Sequence, residues 1–472
     1  MSFVQIEFVW LFLAVFVLYW MLPGGRTQNI VLLCASVVFY GWITPLWVLL
    51  LYASATIDFV MAQLMVRSPR HRRVWLGASL TSNLGLLFWF KYFDFFVVNV
   101  HDALASLGLE TSLHALGIVL PAGISFYTFQ TMSYTIDVYR GELRPRRSYL
   151  DYLVFVSFFP QLVAGPIERA GRLLPQLEQR RVLSWSAVES GLGLALWGGF
   201  KKLVIADTLA PYVDKVFLLK DTGGPLIWAA TAAFMVQIYA DFSGYTDIAR
   251  GTAKMLGIHL VRNFDEPYRA TTTPEFWQRW HMSLSTWIRD YLLAPLLGDA
   301  DAIRPIRFAV AITVTMVVMG VWHGAGWNFV LFGLFQAACI LGYALALRNL
   351  PEAARRVPGG RTLAAAFHLT FVGGIGALMF REPSVYRIWM HLSSNPLDAT
   401  PHQWRAVVTI LSLLFVLNTP LVIEHFAKRT VIPRWKRTPW WLPLQTTVWS
   451  VYVVLMSISY RTTSMDFIYF QF

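Results

Sequence analysis

Two histidines that stand beside tryptophan are the residues best suited to chemistry in this chain. One ends the segment Trp277-Gln-Arg-Trp-His281, and the other lies within Trp322-His323-Gly-Ala-Gly-Trp327. The first segment is rich in polar residues, whereas the second lies between two long apolar runs. An imidazole exchanges protons near neutral pH and is costly to bury at membrane depth. Both histidines are therefore candidate functional residues.

The composition predicts the setting of these histidines. Of 472 residues, 56% are hydrophobic and only 14% are charged. Apolar runs of about 20 residues, the length that crosses a bilayer, recur along the chain. We predict an all-α, polytopic transmembrane protein with one membrane-embedded domain over residues 1–472. It would have about 11 to 13 membrane segments, including re-entrant helices around a central cavity. The first run, Phe3–Leu22, lacks a basic leader and is interpreted as a retained helix.

The net charge of +12 is interpreted as a sign of membrane topology. The basic residues cluster in short loops, as the positive-inside rule predicts. The loop Arg67–Arg73 and the basic stretches at 140–147, 348–361 and 428–437 are predicted to be cytoplasmic. The loop His101–Ser112 has no Lys or Arg and is predicted to be periplasmic, which places the N-terminus outside. We expect membrane lipid as a partner and no nucleic acid.

One stretch departs from the pattern of crossing helices. The segment Phe155–Leu177 has basic loops at both ends and contains Pro160, Gly165 and Pro166. Proline and glycine interrupt helices, and a segment with basic residues at both ends returns to the side it left. We therefore predict a re-entrant hairpin here.

A second unusual stretch surrounds His281. It is rich in charged residues, and we predict one amphipathic helix over Pro274–Leu293 with Thr273 as its N-cap. In a continuous helix, a spacing of four residues would place Trp277, His281 and Ser285 on one face. Such a face is suited to line a pocket.

The chain resembles the membrane-bound O-acyltransferase (MBOAT) family, and within it the bacterial branch that O-acetylates cell-surface polysaccharides such as alginate and cellulose. The motifs that carry the resemblance occur in the expected order over most of the chain. They are Leu120-Pro-Ala-Gly-Ile-Ser-Phe-Tyr-Thr-Phe-Gln130, Phe158-Phe-Pro-Gln-Leu-Val-Ala-Gly-Pro-Ile167, Gln237-Ile-Tyr-Ala-Asp241-Phe-Ser-Gly-Tyr245-Thr-Asp247, Phe276-Trp-Gln-Arg-Trp-His281-Met-Ser-Leu-Ser-Thr-Trp-Ile-Arg-Asp290-Tyr, Trp322-His323-Gly-Ala-Gly-Trp327 and Phe467-Ile-Tyr-Phe-Gln-Phe472.

The resemblance implies that His323 is the catalytic histidine, and imidazole has a suitable pKa to take the proton of an attacking hydroxyl group. His281 is the second catalytic candidate. It would hold the donor, orient the acyl carbonyl or tune His323, and a purely structural role stays open. We expect the two imidazoles to lie within about 15 Å of each other on one cavity that opens to the cytoplasm.

Further residues are candidates for binding the acyl donor. Arg269, Arg279 and Arg289 could bind its phosphates, although anchoring at the membrane surface explains them equally well. Trp277 lies on the predicted route of the donor, and Trp322 and Trp327 could exclude water. Asp241 belongs to a polar cluster with two interpretations: contacts to donor or acceptor, or a structural network that ties the re-entrant region to Asp290 or Arg289. The cluster consists of Asp241, Ser243, Tyr245 and Asp247.

Several motifs are missing from the sequence. It has no glycine-rich phosphate loop, no Cys/His zinc pattern and no His-Glu-x-x-His. We therefore expect no metal and no tightly bound cofactor, with acetyl-CoA as the acyl-donor substrate. There is also no Gly-x-Ser-x-Gly elbow, which argues against a serine nucleophile of its own.

The sequence thus predicts an acyltransferase of the bacterial inner membrane that passes an acetyl group from a cytoplasmic donor towards a periplasmic acceptor. The resemblance implies a periplasmic acetyltransferase of the SGNH type as partner in the same polysaccharide pathway. One alternative is D-alanyl transfer to teichoic acid from a carrier protein. Another is a transporter or flippase, which predicts two similar halves with broken helices, and the sequence shows no such symmetry.

Overall fold

The computed structural model describes residues 1–42, 44–163, 165–298, 304–349, 360–436 and 438–460. Within these ranges the chain forms helices and no strand, which confirms the predicted all-α class. The motif Phe467–Phe472 and most of the basic stretch 348–361 lie outside the described residues.

The structure contains 23 α-helices within the described residues. The first eight are α1 (Ile6–Met21), α2 (Gly25–Gly41), α3 (Leu46–Arg67), α4 (Arg72–Leu87), α5 (Phe93–Ser106), α6 (Ile124–Arg140), α7 (Tyr149–Ser157) and α8 (Phe159–Leu162). The next eight are α9 (Ala170–Glu178), α10 (Trp185–Phe200), α11 (Asp207–Leu218), α12 (Gly224–Met255), α13 (Thr273–Arg279), α14 (Met282–Ile288), α15 (Ala294–Leu297) and α16 (Pro305–His323). The remainder are α17 (Trp327–Asn349), α18 (Gly360–Phe367), α19 (Gly374–Arg381), α20 (Val385–Ser393), α21 (Pro401–Phe426), α22 (Ile432–Trp435) and α23 (Trp441–Ser459).

Seven helical segments of the described chain are long and apolar enough to cross a membrane. They are Leu46–Arg67, Gly224–Met255, Pro305–His323, Trp327–Ala346, Thr362–Arg381, Pro401–Trp435 and Trp441–Ser459. The predicted count of about 11 to 13 also included segments that the structure builds from shorter helices or from helices joined by π-helical turns, such as α1, α4 with α5, and α10 with α11. The protein is therefore a multi-pass membrane protein.

The segment predicted as a re-entrant hairpin is broken into short helices. α7, α8 and α9 contain nine, four and nine residues, and each is far below the roughly 20 residues that cross a bilayer. A Cβ atom at Gly165 would lie 2.3 Å from the Cα atom of Gln161, so only glycine fits at that turn. The structure thus shows the interruption that the sequence predicts.

α12 lies at the centre of the helical bundle, and 78% of the residues in its most apolar stretch are buried. It packs against α10 through two pairs of glycines, each pair about two helical turns from the other. A Cβ atom at Gly198 would lie 2.5 Å from the Gly244 carbonyl oxygen, and one at Gly191 would lie 2.7 Å from that of Gly251. Small residues let helix backbones approach closely, which is a main source of helix association in membranes.

Hydrogen bonds between loops group the ends of the helices into two faces of the molecule. Gln63, near the first basic loop, donates a hydrogen bond to the Arg146 carbonyl oxygen in the second. The opposite ends of the helices meet each other instead, because the amide of Gly224 donates to the carbonyl oxygen of Asp398. This segregation agrees with the predicted grouping of the basic loops, and their cytoplasmic side remains a prediction.

The predicted continuous helix over Pro274–Leu293 is wrong. The chain forms α13, breaks at His281 and resumes as α14, followed by a π-helical turn at Arg289–Leu293. His281 has a φ of 41°, in the left-handed region that is incompatible with a continuous right-handed helix. The N-cap is Thr272 instead of Thr273, because the Thr272 hydroxyl oxygen accepts a hydrogen bond from the Glu275 amide at 3.2 Å.

Candidate active site

His323 lies at the carboxyl-terminal end of α16 and is only 2% exposed. Its Nδ1 lies 2.7 Å from the carbonyl oxygen of Met319, one turn earlier in the same helix. Since a carbonyl oxygen can only accept, Nδ1 carries the proton of this hydrogen bond. The neutral ring then has its lone pair on Nε2, the nitrogen that can take a proton from a hydroxyl group.

Glycines fix the backbone around His323. A Cβ atom at Gly324 would lie 2.0 Å from the Phe329 ring, and one at Gly320 would lie 2.2 Å from the Phe329 carbonyl oxygen. The backbones of α16 and α17 are therefore in direct contact at Gly320, and the backbone at Gly324 lies against the Phe329 ring. This contact determines where α16 ends and hence where the imidazole of His323 lies.

His323 lines a cavity inside the helical bundle. Its walls come from α12, α13, α17, α19, the π-helical turn His368–Gly373 and the turn that contains Tyr268. The lining is mainly aromatic and aliphatic, and its polar groups include Gln336 and His368. The Phe380 ring lies 5.2 Å from the His323 ring. Such an apolar lining disfavours water beside the imidazole and would protect a thioester from hydrolysis.

His281 is fully buried among aromatic rings. Its ring centroid lies 4.7 Å from that of Phe242, 5.7 Å from that of Trp322 and 6.2 Å from that of Phe126. The left-handed backbone at His281 ends α13 and begins α14, so the imidazole leaves the face that Trp277 and Ser285 were predicted to share with it. The shared face therefore does not exist.

The two imidazoles lie close together, because the indole ring of Trp322 is next to both of them. The ring of Trp322 lies 5.7 Å from the ring of His281 and 5.2 Å from that of His323, which keeps the histidines within the expected limit of about 15 Å. The cavity is lined by His323 but not by His281. The predicted proximity is confirmed, whereas only His323 meets the expectation that both line one cavity.

The three candidate tryptophans have different surroundings. Trp277 lines the cavity, and its Nε1 donates to the Gln336 side-chain oxygen at 3.3 Å. Trp322 is buried against both histidines but is not part of the cavity lining. Trp327 is 56% exposed, and its Nε1 donates to the Asn99 side-chain oxygen at 2.7 Å. Trp327 therefore does not shield the cavity from water.

The candidate arginines are all paired with carboxylates. Arg279 pairs with Glu275 in its own helix at 3.0 Å, and Arg289 pairs with Asp290 at 2.8 Å. Arg269 pairs with Glu266 at 3.3 Å, and its side chain is 52% exposed. Arg269 directly follows Tyr268 of the cavity lining, and Arg279 directly precedes Trp280 of the same lining. Neither of the residues next to Arg289 in the sequence lines the cavity.

Asp241 belongs to a buried network of charges. Its carboxylate lies 2.6 Å from Lys202 Nζ, which also lies 2.8 Å from Asp207. Lys201 pairs with Asp247 at 2.7 Å. The contacts described for this cluster do not include Asp290 or Arg289, because two lysines of the π-helical turn Lys201–Ala206 pair with its carboxylates. The re-entrant segment is nevertheless tied to Asp290 separately, through Arg169 at 3.0 Å. Asp241 does not line the cavity.

Sequence reasoning missed three polar residues near His323. Gln336 and His368 line the cavity, and Lys91 Nζ donates to the carbonyl oxygen of Trp322 at 2.6 Å. Each is an isolated polar residue inside an apolar run, and polar groups at membrane depth are functional candidates by default. That feature of the sequence could have identified them.

The polar groups of the cavity are suited to hydrogen bonding with an organic molecule. Within the described ranges, no group of three or more His, Cys, Asp or Glu side chains could hold a metal ion. The expectation of a metal-free enzyme without a tightly bound cofactor remains a prediction.

Comparisons with known proteins show the family of this chain. A model of the MBOAT, membrane-bound O-acyltransferase family matches residues 141–365, which include both histidines. A protein of Azotobacter vinelandii named probable alginate O-acetylase AlgI is 36% identical over 81% of this chain and 75% of its own length. One of the same name from Pseudomonas putida is 33% identical over 93% and 90%. A peptidoglycan O-acetyltransferase of Helicobacter pylori is 33% identical over 70% and 67%. The chain therefore belongs to the membrane-bound O-acyltransferase family and is an O-acyltransferase.

Proposed function

We propose that this enzyme takes an acetyl group from acetyl-CoA at the cytoplasmic face of the bacterial inner membrane and passes it to an acceptor at the periplasmic face. The product would be an O-acetylated exopolysaccharide of the alginate or cellulose type. The observation that carries the proposal is the buried imidazole of His323, whose basic Nε2 belongs to a ring that lines an apolar cavity. The names of the three relatives support acetyl as the transferred group.

The reaction requires a base that takes a proton from the acceptor hydroxyl group and donates it to the departing sulfur. Nε2 of His323 takes the proton of the acceptor hydroxyl while the hydroxyl oxygen attacks the thioester carbonyl carbon. The new C–O bond forms, the C–S bond breaks, and the departing sulfur takes the proton from the imidazolium. The hydrogen bond from Nδ1 to the Met319 carbonyl oxygen holds the ring throughout. The reaction is balanced without any further cofactor.

A cluster of cations beside the cavity supports entry of a phosphate-bearing donor. Arg269 follows the cavity residue Tyr268, and Arg429 lies 3.3 Å from Glu266, the same carboxylate that Arg269 contacts. The side chain of Arg429 is 58% exposed. Guanidinium groups recognise phosphate through paired hydrogen bonds. Both arginines belong to the face of the basic stretches, which we predict to be cytoplasmic.

Glu266 balances the charge of this cluster. Burial by itself raises the pKa of the Glu266 carboxyl, but a hydrogen bond with His425 and the charges of Arg429 and Arg269 bring the net pKa below its ordinary value. The carboxylate is therefore ionised at neutral pH. Phosphates of a bound donor would exchange with it as partners of the two arginines.

The acceptor would approach from the opposite face. α16 begins at Pro305, beside the basic residues Arg304 and Arg307, and its 19 residues extend about 28 Å to His323. His323 thus lies at the end of the helix that is remote from the basic face. A periplasmic partner of the SGNH type would bring its hydroxyl group to this end and then deliver the acetyl group to the sugar.

Transfer of radiolabelled acetyl from acetyl-CoA tests the proposal. The purified enzyme is mixed with mannuronate oligosaccharides, with and without an SGNH-type acetyltransferase of the same pathway, and covalent label is counted. We expect label in the wild type, none with His323→Ala and wild-type label with His114→Ala, an exposed histidine. Full activity of His323→Ala would remove its catalytic role. A transporter or flippase would move substrate without covalent label, and a D-alanyl transferase would not use acetyl-CoA.

A second arm of the same assay tests the donor site. Acetylpantetheine has the thioester but none of the phosphates of the CoA nucleotide. Arg429→Ala is expected to raise the KM for acetyl-CoA roughly 5- to 50-fold, as for the loss of a charge-assisted phosphate contact, and to leave the KM for acetylpantetheine unchanged. Arg405→Ala, at the other end of α21, is the control. Equal effects on both donors would argue against phosphate recognition at Arg429.

A further inference from the structure

The helix that carries His323 ends without a cap from the residues that follow it. The last carbonyl groups of an α-helix have no partners inside the helix and are often satisfied by a following glycine in the left-handed conformation. Gly324 follows α16, but its φ is −162°, which is extended backbone and does not give that cap. The carbonyl groups beside His323 therefore need partners from elsewhere.

Two side chains of a distant helix supply them. Lys91 Nζ donates to the carbonyl oxygens of Trp322 at 2.6 Å and of His323 at 3.2 Å. The hydroxyl group of the next residue, Tyr92, donates to the carbonyl oxygen of Val321 at 3.1 Å. Three successive carbonyl groups at the end of α16 are thus satisfied by two adjacent residues.

The local structure of the donor helix explains how this is possible. Lys91 and Tyr92 lie in the π-helical turn Phe88–Tyr92 that joins α4 to α5, and such turns are frequent at functional sites. Farther along, Asn99 of α5 accepts a hydrogen bond from Trp327 Nε1 at 2.7 Å. The α4–α5 segment therefore holds both sides of the turn that joins α16 to α17.

Charge makes the Lys91 contact more than a generic hydrogen bond. The carboxyl end of a helix carries partial negative charge, so a cation there is favoured. A lysine at membrane depth is costly unless it is paired, and the two carbonyl oxygens provide that pairing. Lys91 Nζ also lies 5.8 Å from the centre of the Trp322 ring, which itself contacts both histidines.

We infer that Lys91 is a positioning residue for acyl transfer, whose ammonium group caps α16 and fixes the direction of the His323 imidazole. This inference rests on the proposed catalytic role of His323. The imidazole is attached to α16 twice, through its own backbone and through the Nδ1 bond to Met319. Any shift of the end of α16 is therefore transmitted to Nε2.

The test measures kcat and KM for acetyl transfer in the full-length enzyme. Lys91→Met keeps the length of the side chain and removes its charge. We expect kcat to fall roughly 10- to 100-fold, as for a displacement of about 1 Å at a reacting group. The KM for acetyl-CoA should stay within about twofold, because Lys91 is not part of the cavity lining. Lys91→Arg, which restores a cation, should recover most of the loss.

Matched controls separate positioning from folding. Lys215→Met removes an exposed lysine of α11, and Tyr386→Phe removes an exposed hydroxyl. Both should keep the wild-type kcat. A purely structural role of Lys91 would lower the amount of folded enzyme and leave kcat per folded molecule unchanged. If Lys91→Met does not fold, Tyr92→Phe has the same expected signature, a lower kcat with an unchanged KM.

The outcomes distinguish the inference from the proposed function. An active His323→Ala variant overturns the proposed function and this inference with it. An inactive His323→Ala variant together with wild-type kcat in folded Lys91→Met, or in Tyr92→Phe where Lys91→Met is unfolded, overturns the inference alone. A lower kcat that Lys91→Arg restores supports it.

Discussion

At His323, the hydrogen bond from Nδ1 to the Met319 carbonyl oxygen decides which nitrogen can react. His281 presents a different situation, because its backbone is as unusual as its surroundings. Its φ of 41° costs a residue with a Cβ atom roughly 1–2 kcal/mol, and asparagine and glycine tolerate that region best. Any substitution at His281 therefore changes both an imidazole and a backbone preference.

Comparing asparagine with alanine at position 281 separates these two effects. Both variants remove the imidazole, but only asparagine suits the left-handed backbone. We expect His281→Ala to be less stable than His281→Asn by about 1 kcal/mol, measured as thermal midpoints in detergent. Both should keep more acetyl-transfer activity than His323→Ala, since water can partly replace an orienting group but not the base. Activity as low as that of His323→Ala in folded His281→Asn would show that the imidazole is essential.

The position of these residues was only partly predictable. His323 was identified because an ionisable group between apolar runs is conspicuous and because the motifs resemble a family. The break at His281 was missed, since the local sequence favours helix and tertiary contacts with Phe242 and Trp322 override that preference. Lys91 could have been identified as a candidate from its position in an apolar run, but its contact could not be predicted, because its partners lie more than 200 residues away in the chain.

Helix α17 offers a test of the contact that places His323. A Cβ atom at Gly333 would lie 2.5 Å from the carbonyl oxygen of Met316 in α16, whereas one at Gly342 would meet no atom within 4 Å. Gly333→Ala should therefore separate the two helices, destabilise the protein by roughly 1–3 kcal/mol and lower kcat. Gly342→Ala lies in the same helix and should be neutral or stabilising, because alanine favours helix. Thermal midpoints and kcat check both, and equal behaviour of the two variants would contradict the proposed packing role.

The short helices α8 and α9 are joined by a segment that holds a buried acid. Glu168 is fully buried, and one of its carboxylate oxygens accepts a hydrogen bond from the Val261 amide at 2.5 Å. Burial raises the pKa of the Glu168 carboxyl to about 7, although that hydrogen bond and the charges of Arg172 and Arg250 act in the opposite direction. In the unfolded chain the same group has a pKa of 4.5.

This difference predicts how stability depends on pH. The folded protein binds this proton more tightly than the unfolded chain, so the contribution of Glu168 to the free energy of unfolding is greatest below pH 4.5 and falls as pH rises to about 7. The loss is of the order of 3 kcal/mol and is complete above pH 7. Glu168→Gln keeps the Val261 hydrogen bond and has no carboxylate. The difference in thermal midpoint between Glu168→Gln and the wild type should increase from pH 5 to pH 8. The same difference for Glu110→Gln, which changes an exposed residue, should not depend on pH. A difference independent of pH would contradict the raised pKa.

At the scale of the whole molecule, the sequence predicted the all-α membrane class, and the structure shows which apolar segments are continuous helices. Hydropathy detects apolar runs, and seven helical segments among the described residues satisfy both length and composition. The π-helical turns at Phe88–Tyr92 and Lys201–Ala206 interrupt two further long segments, and their polar residues form contacts that hydropathy cannot detect. The buried ion pair of Lys202 and Asp241 illustrates this limit. Two opposite charges in contact are tolerated inside a helical bundle, although a hydropathy scale that scores each residue separately would exclude them.

The two faces of the molecule define the direction of transfer, so their orientation is the most consequential prediction. Arg70 lies in the basic loop, and Leu109 lies in the loop without Lys or Arg. With Cys34 and Cys339 replaced by serine, Arg70→Cys and Leu109→Cys each carry one probe. An impermeant thiol reagent added to intact cells with a permeabilised outer membrane should label only the Leu109 variant, because basic loops remain in the cytoplasm. After lysis, both should react, which controls for access. Labelling of only the Arg70 variant in intact cells would invert the topology, and acetyl-CoA could then not reach the cavity beside Arg269 and Arg429.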